Sequence, residues 1–325
     1  MLDSFPRAML GDWPTPLHHL ANYGSWLGHP HFYMKRDDLA TFAMGGNKVR
    51  SLEFQIGEAL ELGADTIIAA GGLQSNQCRL AVAAAIKHGL AALPVHNAPR
   101  PPEPWQGNML LHKLMGAKSM FLGPVSESAR ESRVRMIEAN LQAEGKRPDV
   151  VEQNARGALG YVSAVAELAA QSAALANQLK HVVIVGAMGG TAAGFIFGVA
   201  LLKAPFKVHV ISVEYDLPVL RDIVTALCDE LARLTGSAPQ LLLDEVAAFY
   251  GDYMGPGYGV STPQSIQAIY DLAQREAIFV ENVYNSKTLW GAADLVRRGV
   301  IPKDEAVCVI NTGGTPAFFT QSFEI

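Results

Sequence analysis

The stretch Val182–Leu202, VVIVGAMGGTAAGFIFGVALL, runs without a charge between Lys180 and Lys203. By length alone it could cross a bilayer. Its internal order says otherwise. A β-branched run, Val182 to Val185, stops at Gly186; a glycine cluster ending in Thr191 follows; a second apolar run extends from Phe195 to Leu202. That order predicts strand, loop and helix, and a glycine cluster in its middle makes a poor membrane anchor. Outward from this stretch the same rhythm recurs. Thr66 to Ala70 precedes a helical pattern over Asn76 to His88, Val208 to Val213 precedes Leu217 to Leu234, and Ala306 to Ile310 is another short apolar run. Strands that are apolar throughout belong in parallel sheets covered on both faces. The fold class is α/β, and no membrane partner is expected.

A chain of 325 residues suits two globular units. With 49% hydrophobic and 18% charged residues it has an ordinary globular composition. A net charge of -5 argues against a nucleic-acid partner, which needs a concentrated Lys/Arg surface. Cys78, Cys228 and Cys308 are scattered and odd in number, so neither a disulfide framework nor a cysteine-based metal site is expected. Asp3 and Pro6 stand where a signal peptide would need a basic start and an apolar run, which points to the cytoplasm. Asn97 to Pro104 is proline-rich and predicts a loop. Glu127 to Lys146 has helical charge spacing beside Met136, Ile137 and Leu141, predicting a solvated helix with one apolar stripe.

Chemistry concentrates in four glycine-rich loops: Gly45-Gly46-Asn47-Lys48, Gly71 to Asn76, Gly186 to Thr191, and Asn311 to Gly314. The last three each follow an apolar strand, so each should open at the carboxyl edge of a sheet, where α/β proteins bind ligands; one shared site is expected. The third loop can curl its N–H groups inward, add the Thr191 hydroxyl and present a helix N-terminus, which together suit a phosphate. Its glycines miss the GxGxxG spacing and no Lys-Ser/Thr pair closes it, so neither a dinucleotide fingerprint nor a Walker loop is present. Taken alone, such a loop equally serves to pack a strand tightly on a helix. Lys48 becomes a nucleophile if desolvation and neighbours favour its neutral amine; taken alone, it reads first as a solvated surface lysine, which is what most lysines are.

Read together, these segments carry a resemblance. GGNKVRSLEF from Gly45, GGLQSNQCRLAVAAA from Gly71, GGTAAG from Gly189, GPGYG from Gly255, VYNSK from Val283 and NTGGTPA from Asn311 resemble the D-cysteine desulfhydrase and 1-aminocyclopropane-1-carboxylate deaminase family. FPR at Phe5, PTPL at Pro14 and KRDD at Lys35 match as well, in order along nearly the whole chain. The resemblance implies the tryptophan synthase β-like fold, fold type II of the pyridoxal phosphate enzymes: two domains, each with a mostly parallel twisted sheet flanked by helices. Residues 1–50 with 161–325 would form the larger, cofactor-binding domain, and 51–160 an inserted smaller one. It implies pyridoxal 5'-phosphate as cofactor, a small amino acid as substrate, no metal, and a homodimer.

Position by position, Lys48 matches the Schiff-base lysine and Asn76 the asparagine that bonds the cofactor's ring hydroxyl. Asn47, Asn285 and Thr312 match further cofactor contacts, and Ala187, Met188, Gly189, Gly190 and Thr191 the phosphate loop. Ser75, Asn76 and Gln77 open a helix whose N–H groups would bind the substrate carboxylate, with Ser75 near the α-carbon. Tyr258 and Tyr284 match two tyrosines facing the substrate, where a phenol can donate a proton to a departing group.

Departures from the family pattern are Ala187 for glycine, Met188 for serine, Glu152 to Arg156 in place of Gly-Gly-Ser-Asn and apolar residues, Asn282 for proline, and Ser51 for lysine. Ring-opening deaminases carry glutamate after the second tyrosine and leucine before the late Gly-Gly; here these positions are Asn285 and Thr312. Two neutral groups favour α,β-elimination, with D-cysteine the leading substrate and L-cysteate or another β-substituted alanine the competitor. Ring opening of the cyclopropane substrate is a further alternative, and a non-catalytic cofactor-binding protein is the alternative from another class. A nicotinamide oxidoreductase is disfavoured for want of GxGxxG.

Overall fold

The computed structural model of the chain describes residues 2–239 and 243–321. They divide into two compact units, the larger built from Asp12–Asn47 and Gln153–Thr315, the smaller from Lys48–Glu152 with the described parts of Met1–Gly11 and Pro316–Ser322. The strands are β1 (Leu17–His19), β2 (Phe32–Arg36), β3 (Thr66–Gly71), β4 (Ala91–His96), β5 (Met120–Phe121), β6 (Pro148–Val151), β7 (Leu179–Gly186), β8 (Lys207–Ser212), β9 (Ala247–Tyr250) and β10 (Ala306–Asn311).

In the larger unit the strand order is β1-β2-β10-β7-β8-β9. Only β1 runs antiparallel to its neighbour; β2, β10, β7, β8 and β9 are parallel. Every residue of β10 is buried, as are Val182 to Gly186 in β7, which is why these runs are apolar without alternation. Val182–Leu202 is therefore a central strand, a loop and the helix Gly190–Leu202. Among the described residues no helix is long and apolar enough to cross a membrane. Two of its glycines are packing devices. A Cβ at Gly194 would lie 2.1 Å from the Ala158 carbonyl oxygen, where the helix crosses Ala155–Ala173, and one at Gly186 would meet Leu220 and Val210 at 2.6 Å.

In the smaller unit the order is β5-β4-β3-β6, all parallel. Where the resemblance implied an inserted segment 51–160, the smaller unit holds Lys48–Glu152 together with terminal segments that pack on it. Glu53, fully buried, accepts from the backbone nitrogens of Leu10 and Gly11 at 2.9 and 3.0 Å and pairs with Arg7. The chain near Pro316 and Thr320 packs against Gly107. The helix Glu127–Ala143 is largely solvated, as expected, but its apolar stripe is Val134, Ile137 and Leu141 over Ile68 and Val95. Met136 is exposed, because a position one residue before Ile137 turns about 100° off that face.

Candidate active site

Three loops of the larger unit leave the same edge of its sheet. The chain after β2 makes a tight 3-10 turn, Phe42–Met44, in which Ala43 and Met44 both adopt positive φ, a conformation that costs an L-residue about 1 kcal/mol or more and is concentrated at functional sites. Gly46 then donates to Asp37 O at 2.9 Å and Asn47 N donates to Thr312 O at 3.0 Å, joining this turn to the loop after β10. The junction requires Gly313, at φ +90°, whose Cβ would lie 2.6 Å from the Gly46 Cα. Lys48, half-buried, follows directly and opens the helix Lys48–Glu61 of the smaller unit.

The loop after β7 has the form of an anion cradle. Gly189, at φ +84°, stands at the N-cap of Gly190–Leu202, and no side chain caps that helix. The glycine N-cap supplies no side chain of its own, and the first N–H groups and positive dipole end of the helix face this loop. Asn47 Nδ2 donates to Thr191 Oγ1 at 2.9 Å, so the Thr191 hydroxyl has its proton left to donate. Gly190 lies against Gln153, whose Oε1 would be 2.3 Å from an added Cβ. Met188, in place of serine, accepts from the Tyr215 hydroxyl through its sulfur at 3.4 Å. Backbone N–H groups and one hydroxyl, all donors, suit a phosphate dianion.

Beside it, Tyr258 and Tyr284 face one another with hydroxyls hydrogen-bonded and ring centroids 5.9 Å apart. Burial first, then the neighbouring Tyr258, Glu281 and Glu214, push the Tyr284 phenol well above its usual range, so it keeps its proton. Two residues outside the sequence expectation build this corner. Lys287, fully buried, donates to Met254 O at 2.6 Å and Gly257 O at 3.2 Å and so pins the glycine-rich segment that carries Tyr258. Glu281 accepts from the backbone nitrogens of Val283, Tyr284 and Asn285 at 2.6 to 3.1 Å, capping the helix Asn285–Arg297. Burial raises the Glu281 carboxyl, and these N–H bonds act in the opposite sense. A charged lysine and glutamate with no surface exposure give no periodic signal; only the short VYNSK segment hinted at Lys287. Asn282, in the usual proline position, binds Ser261 Oγ at 2.8 Å. Asn285 turns both polar atoms inward, Nδ2 to Gly313 O at 2.7 Å and to Glu281, Oδ1 to Thr312. Its part is to hold Thr312 and Gly313.

In the smaller unit the loop after β3 leads into the helix Asn76–Lys87. Ser75 caps it, its hydroxyl accepting from Cys78 N at 3.2 Å, and Gly71 has no room for a Cβ because Ser75 lies 2.7 Å away. Gln77 turns aside to the Val151 carbonyl at 3.2 Å. Asn76 Oδ1 accepts from Asn108 Nδ2 at 2.9 Å, a partner the sequence did not single out. In the departing segment, Asn154 caps the helix Ala155–Ala173 through Gly157 N at 2.9 Å. The shared edge expected from sequence is thus realised for the loops after β7 and β10; the loop after β3 stands at the edge of the smaller sheet. Among the described residues no group of three or more His, Cys, Asp or Glu could hold a metal ion.

Comparison with known proteins gives this arrangement its class. The chain belongs to the pyridoxal-phosphate dependent enzyme family, whose pattern matches residues 8–313. Within that class it is similar to a solved structure described as an ACC deaminase homologue, with 34% sequence identity, a TM-score of 0.89, and 98% of this chain and 95% of that one covered. It also matches the processed form of threonine deaminase isoform 2 from Solanum lycopersicum, at 16% identity and TM-score 0.64 over 92% of this chain and 79% of that chain, a likeness in fold alone. The fold is the α/β fold type II, and the cofactor is pyridoxal 5'-phosphate, whose phosphate the backbone N–H groups of loop 187–191 and the Thr191 hydroxyl fit.

Proposed function

We propose that the protein catalyses α,β-elimination from a small β-substituted amino acid, with D-cysteine the leading substrate, giving pyruvate, sulfide and ammonia. The observation that carries this is the neutrality of the position after Tyr284: Asn285, an amide with both polar atoms committed inside the fold, stands where ring-opening relatives carry a carboxylate. In this reading Lys48 holds the cofactor. Loop 187–191 and Thr191 take its phosphate, Asn76 its ring oxygen, and Thr312 its ring nitrogen. The bound cofactor supplies a sink for the electron pair left at the substrate α-carbon.

The remaining work falls to side chains. The Lys48 amine takes the α-proton, a role that suits a base tethered at a turn of fixed backbone. The N–H groups of Asn76 and Gln77, at a helix N-terminus, take the substrate carboxylate beside Ser75, whose own N–H is given to Gly72 O at 3.0 Å. Tyr284 keeps its proton and, through the hydroxyl pair with Tyr258, donates to the departing group. A thiolate so protonated leaves without the carbanion stabilisation that an unactivated carbon–carbon cleavage demands. The second reading is opening of the cyclopropane amino acid, favoured by the likeness to the ACC deaminase homologue. A cytoplasmic homodimer is the expected form.

Assay of the holoenzyme against D-cysteine, L-cysteine, L-cysteate, β-chloroalanine and 1-aminocyclopropane-1-carboxylate tests these readings. Pyruvate from at least one alanine derivative, with no ketobutyrate from the cyclopropane, is the expected result. Ketobutyrate at a comparable rate would move the assignment to ring opening, and no product from any of the five would leave a cofactor-binding protein without turnover.

A further inference from the structure

We propose that Asn108 is a positioning residue for the cofactor: it locks the Asn76 amide with oxygen inward and nitrogen outward, so that position 76 can only donate. The inference rests on the reading of Asn76 as the partner of the cofactor's ring oxygen.

An asparagine amide has two orientations that differ little in shape, and its neighbours decide between them. Here they decide without ambiguity. Asn108 Nδ2 lies 2.8 Å from Gln74 O, a peptide carbonyl that can only accept, so that atom of Asn108 is the nitrogen. The same nitrogen lies 2.9 Å from Asn76 Oδ1, and its two hydrogens serve the two acceptors. Turning Asn76 over would set one NH2 group against another. The Asn76 oxygen is thus committed to Asn108, and among the described residues its nitrogen has no protein partner. A ring oxygen carrying negative charge needs a donor, and the wrong orientation would present it with a carbonyl.

Asn108 is itself held. It is fully buried, second in the helix Gly107–Leu114, and its backbone nitrogen donates to Gln74 Oε1 at 2.8 Å. Gly107 brings the chain in at φ +57°, where a Cβ would meet the Gln74 Oε1 at 2.4 Å and the Pro316 carbonyl oxygen at 3.0 Å. The order of control therefore runs from helix Gly107–Leu114 to Asn108, to Asn76, to the cofactor. Asn108 touches neither substrate nor cofactor in this scheme, and it acts through a residue that does.

The test compares Asn76→Ala, Asn108→Ala, Asn108→Asp, Gln74→Ala and the double variant at 76 and 108 as holoenzymes. It reads the cofactor dissociation constant and the pH midpoint of the visible absorbance of the bound cofactor. Loss of a donor to the ring oxygen should raise the midpoint and raise the dissociation constant at least tenfold in Asn76→Ala and in Asn108→Asp. Asn108→Asp nearly preserves shape and can fold where the alanine variant fails; it cannot donate to Asn76. The double variant should be no worse than Asn76→Ala alone. Gln74→Ala removes the cap on the Asn108 nitrogen while leaving the amide pair, so it should lower thermal stability without moving the midpoint. A shifted midpoint in Asn76→Ala with none in either Asn108 variant overturns the proposal and leaves the role of Asn76 standing. A midpoint moved by Gln74→Ala as far as by Asn108→Ala overturns it in favour of general support of the loop. An unshifted Asn76→Ala overturns the reading of Asn76 itself.

Discussion

Asn285 Oδ1 accepts two hydrogen bonds from one residue, Thr312: from the backbone nitrogen at 2.8 Å and from the hydroxyl at 3.0 Å. The direction of the second bond follows from its surroundings. The Thr312 N–H can only donate and Gly313 O can only accept, so the Asn285 amide is fixed with its oxygen toward Thr312, and the hydroxyl must donate inward. What Thr312 offers on its other side is lone pairs. Removing Asn285 strands two buried backbone groups, each costing about 1–3 kcal/mol, whereas Thr312→Val removes one hydroxyl bond worth about 1 kcal/mol. Urea unfolding of the cofactor-free protein should therefore show Asn285→Ala losing roughly 3 kcal/mol and Thr312→Val roughly 1 kcal/mol. Equal losses would mean that the amide is not the brace described.

Lys48→Ala should abolish the visible absorbance of the bound cofactor and all turnover while the protein stays folded. The lysine opens a helix and is only half-buried, so truncating its side chain leaves no large cavity. Reduction of the wild-type holoenzyme with borohydride and peptide mapping should place the cofactor on this residue. A label on Lys287 or Lys35 would refute the assignment, and both of those lysines are buried with backbone carbonyls as acceptors.

Thr191→Val should weaken cofactor binding more than it slows turnover at saturating cofactor. The Thr191 oxygen accepts from Asn47, so valine costs the cradle one donor and leaves Asn47 Nδ2 without that acceptor. Loss of one hydrogen bond to a charged group, about 1.5–3 kcal/mol, corresponds to roughly a ten- to hundredfold rise in dissociation constant. Cofactor titration followed by kcat at saturation checks it; unchanged affinity would return the loop to strand–helix packing.

Much of this architecture is legible because it is periodic or local. Apolar runs gave β3, β7, β8 and β10 within a few residues, since a strand buried on both faces can be little else. The glycines serve two ends that sequence does not separate: Gly189 supplies a positive-φ conformation at the cradle and also packs against Ile223, while Gly186 and Gly194 only make room for neighbours distant in the chain. Both demands write the same letter. What the sequence hid are the residues that hold other residues. Glu281, Lys287 and Asn108 are buried polar groups whose partners lie on other segments or on irregular backbone, and nothing in a period of two or 3.6 marks them. The terminal segments packed on Glu53 and Gly107 were hidden for the same reason.

Stability should fall steeply with acid, because two histidines are held neutral inside. In the larger unit the Tyr250 hydroxyl lies 3.0 Å from His209 Nδ1 and His181 lies 2.9 Å from His209 Nε2, so each nitrogen of the neutral His209 ring has one partner. Burial first, with the neighbouring His181 and Lys207 acting in the same direction, lowers His209 from 6.5 to about 3. In the smaller unit His112 is lowered from 6.5 to about 4 by burial first, then by His96 and Arg79, and among the described residues neither of its ring nitrogens has a hydrogen-bond partner. A folded value below the unfolded one means that the unfolded chain binds more protons as pH falls, so the native state loses ground below 6.5, down to about 3 for His209 and about 4 for His112. At about pH 5 each group should cost roughly 2 kcal/mol relative to neutral pH. His112→Leu loses no hydrogen bond and should remove its share of the slope, so that the difference in unfolding free energy between about pH 7 and about pH 5 shrinks by roughly 2 kcal/mol. Urea midpoints at the two pH values measure that difference directly, and a slope unchanged in His112→Leu would show that this imidazole is protonated in the folded protein.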